Sequence, residues 1–378
     1  MRIIVTLLFA ITMFKTEAQS SVLTIADSLY LNGNYSQAIT AYKSYENQDE
    51  VFDKMAKSYL AIGNYDAALH YYKLNIEVHP EDALSKYEYA KLLSKTKQFE
   101  ASIEVFNDLM NIDYRNPNYH YEMGLALEKI NDSSAINRFR TAYDLDGTHQ
   151  KAIFKIAKHF LIKRKHETSH RYIDKGLETY ENNVELISLK AQNYYYQEYY
   201  NQAKIWFQKL IDLSESSEFI HEKLSSIHAE LSEYEQAISQ RQLVLNYNPY
   251  DSNALFLIGT YYERLNDFTN AENYIIQALK LKDVPLDYEY QKLGVVFNRQ
   301  ERYQEAIEAF KKSLKENPEN VSSAFFIVST KDRYYADIDS KIKVYQDFIE
   351  NYSNSPFLSF AKRRLSELKE EKFIKEKE

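Results

Sequence analysis

Small and aromatic side chains recur along this chain at an interval that the polar residues between them do not disturb. A small residue stands at Ala38, Ala68, Ser102, Ala135, Ser169, Ala203, Ala237, Ala271 and Ala306, and a fainter one at Ser340. The successive spacings are 30, 34, 33, 34, 34, 34, 34, 35 and 34 residues. An aromatic side chain follows four positions later at Tyr42, Tyr72, Phe106, Phe139, Phe207 and Phe310, one helical turn on along the same face. A fixed period of about 34 residues predicts stacked pairs of helices. Two helices joined by a tight turn can approach closely only where a small side chain lets their backbones meet, so the Ala or Ser marks each crossing. One pair cannot bury its apolar face alone, and stacked neighbours build a continuous core.

The fullest copy contains Leu293, Gly294 and Phe297, then Tyr303, Ala306, Ile307 and Phe310, and ends at Pro318. This pattern resembles the tetratricopeptide repeat (TPR), which reads Leu-Gly-x-x-Tyr, then Ala-x-x-x-Phe, then Pro. The resemblance implies an all-α fold, a right-handed superhelical solenoid of about ten helix-turn-helix pairs with a C-terminal capping helix. Repeat two is clean, with Ala56, Tyr59, the Gly63-Asn64 turn, Ala68 and Tyr72. Repeat five departs furthest, with Ala157, Phe160, a turn at Lys163-Arg164-Lys165-His166, and Ser169. Repeat ten keeps a faint version around Phe325, Tyr335, Ser340 and Tyr345, as expected of a terminal repeat. Ser355-Pro356 then opens a helix whose Phe357, Phe360, Ala361, Leu365 and Leu368 form an apolar stripe. The expected organisation is a targeting segment over 1–18, the solenoid over 19–352, and the capping helix with a charged tail over 353–378.

Composition narrows the functional classes. The 7 Gly and 6 Pro among 378 residues suit a nearly all-helical chain with short turns. A net charge of −8 argues against a nucleic-acid partner, which needs a basic footprint. With no cysteine, disulfides, thiolate metal sites and thiol nucleophiles are all excluded. At the N-terminus, Arg2, an apolar run from Ile3 to Phe14, and Thr16-Glu17-Ala18 before Gln19 have the layout of a secretory signal peptide cleaved after Ala18. That run is too short for a bilayer, which needs about 20 apolar residues. The mature chain is therefore expected to have no membrane span and to reside in the periplasm or cell envelope of a bacterium.

One stretch suggests catalysis: His166-Glu167-Thr168-Ser169-His170 matches the H-E-x-x-H pattern of zinc hydrolases. Ser169, however, falls in register as a crossing residue, His166 takes the turn position filled elsewhere by Tyr or Phe, and Lys163-Arg164-Lys165 crowd a cation site with positive charge. No phosphate-binding glycine loop or nucleophile elbow occurs, and no metal or cofactor is implied. In the TPR family the first helices of successive pairs line the concave wall that holds partner segments. By that resemblance the candidate binding residues are Lys57, Tyr87, Lys91, Lys95, Tyr121, Lys158, Gln192, Tyr195, Thr260, Asn298 and Arg299, beside Asp53, Phe154 and Phe256. Lys57, Lys91, Lys95 and Lys158 would form a basic strip inside an acidic protein. The expected function is a non-catalytic scaffold or adaptor that grips a protein or an extended peptide. A glycan-binding reading would need several aromatic faces open to the groove.

Overall fold

The computed structural model describes residues 22–281, 286–335 and 337–375. The expected targeting segment, residues 1–18, lies outside the described residues. The first helix pair is α1 (22–31) and α2 (Tyr35–Lys43). There follow α3 (Phe52–Ala61) with α4 (Tyr65–Val78), α5 (Ala83–Lys95) with α6 (Phe99–Ile112), α7 (Pro117–Lys129) with α8 (Ala135–Leu145), and α9 (Gln150–Ile162) with α10 (His166–Thr179). The next pairs are α11 (Val184–Tyr196) with α12 (Tyr200–Asp212), α13 (Glu218–Glu230) with α14 (Tyr234–Tyr247), and α15 (Ser252–Arg264) with α16 (Phe268–Leu281). The chain continues with α17 (Asp287–Arg299) and α18 (Tyr303–Glu316), α19 (Val321–Tyr334) and α20 (Ile338–Asn351), and closes on α21 (Leu358–Lys375). The fold is all-α, built from helix pairs at the interval the sequence predicts. The chain divides into two compact units, residues 1–189 and 190–378, and the division falls inside α11. Among the described residues no helix is long and apolar enough to cross a membrane.

Most intra-pair turns share one backbone conformation. Gly33, Gly63, Lys97, Asn131, Arg164, Glu198, Ser232, Asn266 and Glu301 all have φ between 55° and 77°. In each turn the following N–H donates to the carbonyl five residues back, as Asn64 does to Tyr59 at 2.9 Å and Arg302 to Phe297 at 2.9 Å. This bond satisfies a carbonyl that the helix end would otherwise orphan. Only two of the nine positions are glycine, so the others hold a left-handed conformation that costs an L-residue about 1–2 kcal/mol. The tertiary stack, more than local preference, closes those turns. The last pair differs, because Tyr335 after α19 has φ −79° and an extended ψ.

The crossings are as tight as the spacing implies. Ala38, Ala68, Ser102, Ser169, Ala203, Ala237, Ala271 and Ala306 have no exposed surface. Where the small residue is serine, its hydroxyl bonds the partner helix. Ser102 Oγ donates to the Ala90 carbonyl at 2.8 Å and Ser169 Oγ to that of Ala157 at 2.9 Å. Ser225, on the first helix of its pair, donates to Ala237 at 2.8 Å. Gly294 admits the ring of Phe310, since a Cβ there would stand 2.5 Å from Phe310 Cε1.

Two positions depart from the expected register. Ser340 is half-buried in the first turn of α20, where its N–H donates to Asp337 Oδ2 at 2.7 Å. It is a helix-start residue and not a crossing, and the buried Tyr345 lies five rather than four residues further on. In the α13–α14 pair, Arg241 takes the place of the aromatic and is 3% exposed. Its Nη1 donates to Glu222 Oε1 at 3.4 Å, and its Nε has no partner among the described residues. At the C-terminal end, α21 buries Ala361 and Leu368 against Val328, Tyr345 and Phe348, and Arg364 Nε donates to Asp332 at 2.9 Å.

Candidate functional site

In the first unit, first helices of consecutive pairs line a groove of about 590 Å³. Lys95 of α5, Tyr121, Glu122 and Leu125 of α7, and Phe154 and Lys155 of α9 contribute, with Lys151, Glu128 and Glu185 nearby in the lining. These helices reach the groove because their opposite faces are held by the crossings. Ala90, Ala157 and Met123 of α7 are buried, and the almost fully buried Ala126 belongs to the groove's lining. Of the residues expected from the sequence, Lys95, Tyr121 and Phe154 come together here.

The groove is not the basic strip that the lysine spacing suggests. Lys57 pairs with Asp53 at 2.9 Å, and Lys91 with Glu88 at 3.4 Å while lying 4.9 Å from the Tyr87 ring centre. Lys95 sits 4.5 Å from the centre of the Tyr65 ring, and the exposed Lys158 lies 5.7 Å from that of Phe154. Such ammonium–ring contacts are attractive at these distances. Lys155 of α9 pairs with Glu128 of α7 at 2.5 Å. Carboxylates thus alternate with the lysines: Asp53 and Glu88 lie on the same helix as their partners, and only the Glu128 pair crosses between repeats, where spacing within one helix could not reveal it. Burial pushes the half-buried Glu122 carboxyl up, while Lys91 and Lys151 pull it down. Tyr121 is only 8% exposed, packed against Phe139 and His149, so it forms the groove's floor rather than a free contact.

The remaining expected residues lie in the second unit and have other surroundings. Gln192 and Tyr195 both belong to α11, and Lys223 of α13 stands 4.5 Å from the Tyr195 ring centre and 5.7 Å from that of Phe219. Thr260 turns its hydroxyl onto the Leu257 carbonyl at 2.7 Å. Asn298 Nδ2 donates to Thr330 Oγ1 at 2.6 Å, joining α17 to α19, and Arg299 is exposed. Phe256 is buried against Tyr288. The H-E-x-x-H stretch begins α10, with His166 as its first residue and Ser169 buried in the crossing. Among the described residues no three His, Asp or Glu side chains gather as metal ligands.

The repeat also matches known proteins. The tetratricopeptide-repeat family model matches residues 54–132 and 256–321, a stretch in each unit. Both stretches are tetratricopeptide repeats. The chain's helix pairs resemble the C-terminal part of a TPR repeat-containing protein from Cytophaga hutchinsonii, with a TM-score of 0.53 and 15% identity, over 64% of this chain and 99% of that one. YrrB, described as a TPR protein with an unusual peptide-binding site, aligns with a TM-score of 0.46 and 18% identity, over 50% of this chain and 96% of its own. A TPR repeat-containing protein of Methanocaldococcus jannaschii is 24% identical over 66% of this chain and 55% of that protein. The chain thus spans about half the length of the curated relative it matches.

Proposed function

We propose that this TPR protein is an exported, non-catalytic scaffold that holds an extended peptide segment of a partner in the groove of α5, α7 and α9. The observation that carries the reading is the lining itself: three consecutive first helices present Lys95, Glu122, Lys151 and Lys155 around a floor of Tyr121, Leu125 and Phe154. Charges of both signs around aromatic and aliphatic surface suit a peptide with mixed side chains. A floor fixed in advance by the crossings spares part of the ordering cost of binding. The residues that could recognise a backbone or carboxylate are the lysines, and Glu122 and Glu185 offer acceptors for a basic side chain.

A photo-crosslinking residue placed at Leu125 in cells tests the groove. Capture of a discrete partner is expected, and it should disappear when Lys95→Glu and Lys151→Glu are combined in the same chain. Capture that survives the double reversal would refute the groove as the site. Export is tested separately by fractionation and N-terminal sequencing. A mature chain beginning at Gln19 in the envelope fraction is expected, whereas a cytoplasmic chain retaining Met1 would overturn it.

A further inference from the structure

A second cleft, of about 760 Å³, opens on the other class of helix in the second unit. It lies along α16 and α18, the second helices of neighbouring pairs, with α17 showing between them. Its floor is apolar: Leu293, Phe297 and Ala309 are almost fully buried beneath it, and Ile276 and Leu279 are half-buried at its side. The rim carries Lys280, Glu305, Glu308 and Lys312, all exposed.

The rim's charges are not equally available. Glu305 accepts from Arg302 Nε, at the N-cap of α18, at 3.0 Å, and Glu308 accepts from Lys311 of the same helix at 2.7 Å. Among the described residues Lys280 and Lys312 form no ion pair, and Lys312 rests 5.6 Å from the Tyr290 ring centre. The cleft thus offers apolar surface and two ammonium groups outside any ion pair among the described residues, while each rim carboxylate is paired with a base, Glu305 sharing Arg302 with Glu272. The geometry points to a docking site for an acidic peptide segment of a partner protein, one that seats apolar side chains on Leu293, Phe297 and Ala309 and sets flanking carboxylates against Lys280 and Lys312. Complementary charge at a rim chooses the partner, and the apolar floor holds it. This surface is separate from the first-helix groove, and its partner need not be the same molecule.

The test uses the full chain and two fluorescein-labelled peptides, a short run of leucines flanked by glutamates and the same run flanked by lysines. Fluorescence anisotropy should show the glutamate-flanked peptide binding about tenfold tighter, the scale of two rim ion pairs. Lys280→Glu combined with Lys312→Glu should invert the preference, and both positions are exposed, so hydrogen exchange of α16–α18 should be unchanged. Lys95→Glu with Lys151→Glu should leave both affinities as they were, which separates this site from the groove of the first unit. Equal affinity for the two peptides, or a preference that survives the reversal at Lys280 and Lys312, would overturn the assignment. So would displacement of the bound peptide by dodecanoate, which would give the cleft to small anions. A sedimentation coefficient that changes when Lys280 and Lys312 are reversed would give it to a second copy of the chain and overturn it equally.

Discussion

The α13–α14 and α17–α18 pairs occupy the same register and solve it with different chemistry. In α17–α18 the crossing is dry: Gly294 faces Phe310, with Ala306 between the backbones and no exposed surface on either Ala306 or Phe310. In α13–α14 the equivalent positions are Ser225, Ala237 and Arg241, so a hydroxyl bonds a carbonyl and a guanidinium replaces the ring. The comparison shows that the repeat prescribes volume and approach distance at the crossing, while leaving polarity open. Burying a charge in the second solution has a consequence, because a buried ion must recover its lost hydration from partners. Arg241 finds one long contact with Glu222 and leaves Nε without a partner.

The largest effect is expected from removing that charge. Arg241→Met keeps the length of the side chain and discards the buried ion, and should stabilise the pair by about 1–4 kcal/mol in denaturant unfolding. A loss of stability would mean that the guanidinium is well satisfied and would erase the contrast. Next, Gly294→Ala places a methyl group against Phe310 and should destabilise by about 1–3 kcal/mol through overpacking. Adding Phe310→Leu should recover part of that loss, a coupling measurable in a double-mutant cycle. Strictly additive losses would show that the Gly294–Phe310 fit does not set the crossing. Smaller again, Ser225→Ala leaves the Ala237 carbonyl without its hydroxyl donor and should cost about 1 kcal/mol. Hydrogen exchange confined to α13 and α14 would report it.

The smallest effect carries the contest between burial and pairing into the first unit. Because burial raises the Glu122 carboxyl, the folded chain holds that proton more tightly than the unfolded chain. The group's contribution to stability is complete below its unfolded value and is lost as pH rises through the folded one. Glu122→Gln should therefore raise Tm slightly at about pH 7, with the gain fading by about pH 4. A gain that grows as pH falls would contradict the sign. A lowered Tm at pH 7 would mean that Lys91 and Lys151 outweigh burial.

Most of the fold was legible before any coordinates. The interval between small residues places every helix pair through α18, because backbone approach tolerates only small side chains whatever surrounds them, while the closing helix begins at Leu358, two residues after Pro356. The exception at Ser340 is instructive, since a small residue in the first turn of a helix can receive a cap, here from the Asp337 carboxylate, without filling a crossing. The αL residues of the turns were mostly hidden, because seven of the nine are not glycine and are held in place by the packed helices.

The candidate site was legible only in outline. Lys95, Tyr121 and Phe154, singled out on first-helix faces, meet in one groove, yet Tyr121 and Phe256 prove to be buried, and Lys57 and Lys91 to be paired with acids. Glu128 is 27 residues from the Lys155 it pairs with, and nothing local records such a meeting. The sequence by itself determined the helical pairing, its period and its crossing points, for these follow from side-chain volume at fixed spacing along one helix. Tertiary structure alone decided which charges pair between helices, as at Lys155, while pairs such as Lys57–Asp53 and Lys91–Glu88 lie within one helix. That outcome depends on how neighbouring repeats are staggered and which rotamers reach across, distances that no single repeat encodes.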